Sequence, residues 1–141
     1  MGKIVVGVDA SEHAVRAVRW ALEEARLRQA ELEVVHAVHQ PDIAAMPAVL
    51  PMPTHEQLED AGHQLIDELL AEVDAAGVTV TRDVRSGGAA GVLCRRAEDA
   101  ELVVVGARGL GGFRGLLLGS VTQQVVAHSP TPVVVVVPEE R

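Results

Sequence analysis

The apolar run Glu101-Leu-Val-Val-Val105 leads into GARGLGGFRGLLLGS, Gly106 to Ser120, and then into Val121-Thr-Gln-Gln-Val-Val-Ala127. The first piece predicts a buried strand and the last a short helix, with a glycine-rich loop between them. A strand, such a loop and a helix start together favour an anion. Glycine lets the backbone come close, unpaired N–H groups point outward, and the helix dipole is positive at that end. Ser120 is the expected N-cap of the helix. Two familiar phosphate loops are excluded. No GxxxxGK[ST] occurs, and the chain's lysine is Lys3. Gly109-x-Gly111 would need a glycine at 114 to complete a dinucleotide fingerprint, and Arg114 stands there; that fingerprint also follows a first strand rather than a late one.

Working outward, the remaining chain alternates strand and helix signals. Residues 3 to 8, Lys-Ile-Val-Val-Gly-Val, form a continuous β-branched run that suits a central strand, with Asp9 at its end. Ser11 is a candidate cap for a helix carrying Ala14, Val15, Val18, Ala21, Leu22 and Ala25. Its solvent face offers Glu12–Arg16 and Glu24–Arg28 pairs. Trp20 is expected to pack at that helix's edge. Leu32 to Val38 is the second strand. His36 and His39 fall on opposite faces of it, so they make no metal pair, and His13, His55, His63 and His128 have no ligand spacing either. Residues 40 to 53 hold Pro41, Pro47, Pro51 and Pro53 among apolar side chains. The segment is either a surface connection or a lid or partner contact.

Thr54-x-x-Gln57 is a capping box. The helix it opens has a stripe of Leu58, Ala61, Leu65, Leu69 and Val73, flanked by Ile66 and Leu70, with Gly77 as its expected C-terminal cap. Val78, Val80 and Val84 alternate with polar residues, as on an edge strand. A short helix with Val92, Leu93, Ala97 and an inert Cys94 follows Gly87-Gly88. The chain closes on Val133 to Val137 between Pro132 and Pro138. The order β-α-β-α-β-α-β-α-β implies a doubly wound five-stranded parallel sheet with helices on both faces. Right-handed crossovers favour strand order 3-2-1-4-5. Strands one and four then meet at the switch point, which brings Asp9 and the Gly106 loop together.

Composition sets the bounds. A length of 141 residues with 48% hydrophobic content suits a single domain, 1–141, with a sizeable core. One cysteine excludes a disulfide framework, and the opening residues run into a strand without a leader, so a cytoplasmic location is expected. No stretch is long enough for a membrane helix. A net charge of −8 with few aromatics argues against nucleic acid.

The spacing Gly106-x2-Gly109-x9-Gly119-Ser120 resembles the nucleotide loop of the universal stress protein family, in its ATP-binding branch. Ile4-Val-Val-Gly-Val-Asp-Ala-Ser-Glu-His13, Val84-x-x-Gly87, Leu102-Val-Val-Val-Gly106 and His128-Ser-Pro-Thr-Pro-Val-Val-Val135 resemble its other landmarks. The resemblance implies ATP or another adenine nucleotide as ligand, with Mg or Mn, and no metal held by protein side chains. Asp9 would accept from the ribose hydroxyls, and the Ala37 backbone would meet the adenine edge. Gly7 and Val105 would line base and ribose. Gly106 would approach the ribose, and Gly109, Gly119, Ser120 and Val121 would hold the phosphates, with Arg108 neutralising part of their charge. Ala89 and Ala37 depart from the residues usual in the family, proline and valine.

Two function classes remain open. One is a nucleotide-binding regulatory protein of the stress response. The other is a slow ATPase or nucleotidyl-transfer enzyme using the same pocket. Phosphoryl chemistry needs a positioned nucleophile and strong charge stabilisation. The loop has no lysine, no evident base beyond Asp9, and Arg108 and Arg114 as its cations, which favours binding. A homodimer is also expected. The strand Val133–Val137 would be a sheet edge with no charge or internal proline to guard it.

Overall fold

A computed structural model of the chain describes residues 2–38, 51–108 and 118–139. The expected alternation is present among them: β1 (Lys3–Gly7), α1 (His13–Arg28), β2 (Glu31–Val38), α2 (His55–Ala71), β3 (Val80–Ser86), α3 (Ala89–Arg96), a 3-10 turn Ala97–Asp99, β4 (Leu102–Gly106), α4 (Ser120–His128) and β5 (Val133–Val136). All strand pairs are parallel and the order is β3-β2-β1-β4-β5. β1 sits at the centre because its run is apolar on both faces. Ile4 and Val6 enter the cluster formed with α1 and α2, and Val5 enters the one formed with α3. Full burial of such side chains stabilises by about 1.5–3 kcal/mol each. Trp20 packs half-buried against the α1/α2 cluster.

Several local expectations are shifted. On α2 the buried positions are Gly62, Ile66 and Leu69, whereas Ala61 is exposed. A stripe counted from side chains overlooks Gly62, which marks the closest approach of helix to sheet. A Cβ there would lie 2.7 Å from Val84 Cγ1. The Thr54–Gln57 capping box forms as expected, with Gln57 N–H donating to Thr54 Oγ1 at 3.1 Å and Thr54 N–H to Gln57 Oε1 at 2.9 Å. The helix stops at Ala71 with Glu72 as its cap, so Gly77 (φ 81°) serves the turn before β3 instead. Arginines of α1 allow the earlier stop. Arg19 donates to the Glu72 carbonyl at 3.1 Å, and Arg26 donates to the carbonyls of Asp74 and Ala76. Arg28 pairs with Glu24 at 2.8 Å as expected, while Arg16 Nε–H reaches the Val137 carbonyl at 2.7 Å, where the chain leaves β5 one residue early.

A connected set of charges runs along the α3 side of the sheet, from Lys3 at the amino end of β1 to Arg85, which is level with Ala37 near the carboxyl end of β3. Glu33, buried on β2, accepts from Arg96 at 2.7 Å and lies 3.4 Å from Lys3. Lys3 also donates to Asp99 at 2.8 Å, and Arg96 lies 3.2 Å from Asp83, which itself accepts from Arg85 at 2.7 Å. The hydrogen bond to Glu33 raises the Arg96 pKa, and the one from Lys3 holds the Asp99 carboxyl below its ordinary range.

Candidate functional site

Where β1 ends, its ladder to β2 stops at Gly7, and Val8 N–H makes one last bond to the Val35 carbonyl at 2.9 Å. Asp9 comes next. Its Oδ1 accepts the Ser11 N–H at 2.9 Å, closing the turn into α1. The residue before α1 is Glu12, in helical conformation and without a side-chain cap bond, so Ser11 is not the cap. Asp9 has already fixed the turn that a cap would fix. Ser11 Oγ is buried there without a hydrogen-bond partner among the described residues.

β4 reaches the same level through the register Val6↔Val104, and Gly106 ends it. Gly106 lies against the start of α1; a Cβ on it would be 3.7 Å from His13 Cβ. Three bonds then fix the start of α4. Ala107 N–H donates to the Val136 carbonyl at 3.0 Å, Gly119 N–H to the Ala107 carbonyl at 2.7 Å, and Thr122 Oγ1–H to the Gly106 carbonyl at 2.7 Å. The N-cap is Gly119 and Ser120 is the first helical residue, so the helix begins one residue earlier than expected. The first-turn N–H groups of a helix have no partner within it. In α4 the Gln123 N–H makes the bond back to Gly119, so those of Ser120, Val121 and Thr122 lead the helix.

Asp9, Gly106, Gly119, Ser120 and Val121 are thus all placed at the carboxyl ends of β1 and β4. Arg108 is half-buried just after Gly106, and Gly109 lies outside the described residues, as does most of the Pro41–Pro53 segment. Gly7 has a reason of its own to be glycine, since a Cβ would come within 2.6 Å of Leu93 Cδ1 on α3. Val105 is buried in the cluster with Val5, Val35, Val92 and Leu93, so its side chain belongs to the core. Ala37 is half-buried against that cluster. Its main chain, like that of Val35, points towards β1, because successive strand residues alternate and Val38 turns its carbonyl the other way, to Gly87. Thr122 was missed by sequence reasoning. The signal was present: a polar residue three before the buried Val125, on the face expected to be apolar.

Among the described residues no group of three or more His, Cys, Asp or Glu side chains could hold a metal ion. No described helix is long and apolar enough to cross a membrane. Burial pushes the Cys94 thiol pKa up, away from the thiolate that reactive cysteines need. A separate shallow cleft at the β3 edge is lined by Val38, His55, Glu59, Val84, Arg85 and Ser86.

A five-stranded parallel sheet of this order, with β1 and β4 adjacent at its switch point, defines a doubly wound α/β protein. The universal stress protein family matches residues 1–137, and the chain belongs to it. A universal stress protein of Mycobacterium tuberculosis is 38% identical over 143 residues, which cover 97% of this chain and 48% of the relative. The chain spans about half the length of the curated relatives it matches. Among solved structures, universal stress protein UspA from Lactobacillus plantarum superimposes with a TM-score of 0.75 at 26% identity, covering 96% of this chain and 97% of that one. A universal stress protein in complex with cAMP superimposes at 0.66 with 28% identity, covering 96% and 95%.

Proposed function

We propose that this chain binds an adenine nucleotide, ATP foremost, and acts as a nucleotide-dependent regulatory protein of the stress response in the cytoplasm. The observation that carries the reading is that the Asp9 turn, Gly106 and the start of α4 all lie at the carboxyl ends of the adjacent strands β1 and β4. The cAMP complex of a 28% identical structure supports the adenine nucleotide as ligand. The donor set fits such a group. Asp9 supplies an acceptor for sugar hydroxyls, the start of α4 supplies N–H donors with a favourable dipole for phosphate, and Ala37 supplies a main-chain edge for the base. At Gly106 the nearest described atom would stand 3.6 Å from an added Cβ. That is ordinary contact, so a methyl group would fit among the described residues, and on this reading the glycine serves close approach of the ligand. Gly109 and Arg108 complete the phosphate end, with Mg or Mn sharing the charge.

Gly7 supports the site indirectly, by letting α3 close on β1. Turnover is expected to be slow or absent, because phosphoryl transfer needs a base and charge clamp that this donor set does not offer. β5 is a sheet edge of four half-buried valines, and pairing with the same strand of a second copy would satisfy its free ladder groups. Val135→Pro should then turn a dimer into monomers or aggregates by light scattering, and a parent protein monomeric at micromolar concentration would refute the seam. The ligand itself is tested by the protein as purified. Its single tryptophan and absent tyrosine give weak absorbance at 280 nm, so bound adenine would dominate near 260 nm. Mass spectrometry of what denaturation releases would name it. Failure of ATP, AMP and cAMP all to bind in calorimetry would end the proposal.

A further inference from the structure

The carbonyl of Val8 is hydrogen-bonded to a side chain where a sheet would ordinarily use main chain. His36 Nδ1 lies 2.9 Å from it. A carbonyl only accepts, so this nitrogen carries the proton. Val8 N–H is already bonded to the Val35 carbonyl at 2.9 Å, so both main-chain groups of the residue preceding Asp9 are tied to β2. In a continuing parallel ladder the Val8 carbonyl would take the Ala37 N–H. With the imidazole in that place, the ladder ends at Gly7–Val35, and Ala37 directs its N–H and carbonyl to the side from which β1 has departed.

The ring is held for this task. It is half-buried between the sheet and α2, and a Cβ on Gly62 would lie 3.2 Å from its Cδ2. Gly62 thus makes the space that the imidazole occupies. We infer that His36 is a positioning residue of the nucleotide site: by holding the Val8 carbonyl it aims Asp9 at the sugar and keeps the Ala37 amide open to the base. The inference rests on the nucleotide reading given above.

Calorimetric titration of the whole chain with ATP, and with tripolyphosphate as a probe of the phosphate end alone, separates the two. His36→Phe keeps a flat ring without the donor and should weaken ATP about tenfold, the loss expected for one hydrogen-bond network at a polar site. Tripolyphosphate binding should be unchanged. His36→Asn, whose amide nitrogen can replace Nδ1, should recover most of the loss. In an Asp9→Ala background the effect of His36→Phe should shrink, whereas a general loosening of the fold would add. A wild-type protein that binds neither probe overturns the nucleotide reading, and this inference with it. A wild type that binds ATP with His36→Phe equal to it overturns the inference alone, as does His36→Asn no better than His36→Phe. Should His36→Phe not fold, imidazole nitrogen NMR of the wild type decides: the proton must sit on Nδ1, and a ring protonated on Nε2 alone refutes the contact.

Discussion

The two ends of the β-sheet handle polar groups in opposite ways. At the amino half, charged side chains answer one another. Lys3 meets Glu33 and Asp99, and Arg96 meets Glu33, from which the set runs on to Asp83 at mid-sheet. At the carboxyl end the groups brought together are mostly main chain: the leading amides of α4, the close backbone of Gly106 and the inward edge of Ala37, with Asp9 fixed in a turn. Side-chain pairs consume their own hydrogen-bonding capacity, whereas strand ends and helix starts present theirs outward. On the proposed function one end of the sheet serves stability and the other recognition, and damage to each should show in a different measurement.

The largest separation is expected from Glu33→Ala. It leaves Arg96 and Lys3 without their shared buried partner, and breaking such a pair from one side costs about 3–5 kcal/mol. Asp83 and Asp99 remain, which places the expectation at the lower end of that range. Urea denaturation should register the loss, while ATP affinity measured on folded protein stays unchanged; equal losses in both would mean that the two ends are not independent. Gly119→Val combined with Ser120→Ala should do the reverse. A β-branched side chain at the N-cap crowds the approach to the amides, and the phosphate-dependent share of affinity should disappear with little change in melting temperature. A double variant that still prefers ATP to adenosine would move the phosphates elsewhere.

Asp9 sharpens the comparison because it belongs to both fold and site. Asp9→Ala removes the proposed sugar contact and the bond to Ser11, and about 1.5–3 kcal/mol of binding should go with the charged acceptor, roughly 10- to 150-fold in affinity. Asp9→Asn retains an oxygen for the Ser11 N–H, so it should protect the turn while still weakening ATP. Calorimetry and melting curves on the pair distinguish the two roles. The smallest effect belongs to Asp99. Lys3 lowers its pKa in the folded chain, so its contribution is present above the unfolded carboxylate value of about 4 and fades as pH falls through the lower folded one. The stability difference between wild type and Asp99→Asn should thus be slight at neutral pH, vanish in acid and diminish with salt, because this carboxylate is largely exposed.

Strand order, and with it the adjacency of the strands that end at Asp9 and Gly106, was legible in the sequence, because apolar run length and chain alternation leave few right-handed topologies. Helix ends were less legible. Gly77 and Ser11 are sound caps by residue type, but the carbonyl clamp from Arg19 and Arg26 and the carboxylate of Asp9 reached those turns first. Gly62 and His36 were opaque for a related reason. A glycine gives no hydrophobic signal, and a histidine on a strand discloses nothing of a carbonyl twenty-eight residues earlier. Gly7 and Val105 were read as lining base and ribose, and their packing in the cluster with α3 was not legible, because it depends on tertiary distance.

The arginine clamp between α1 and the segment after α2 bears on how the chain meets a protease. Asp74-Ala-Ala-Gly-Val78 is small, largely exposed and turn-forming, the composition at which nicking concentrates. Cleavage requires the backbone to peel away into an extended strand, and here Arg26 grips the carbonyls of Asp74 and Ala76 while Arg19 grips that of Glu72. The segment must shed these guanidinium bonds before it is cut, so its lifetime under protease reports the release of side chains on α1 as well as the mobility of the turn itself.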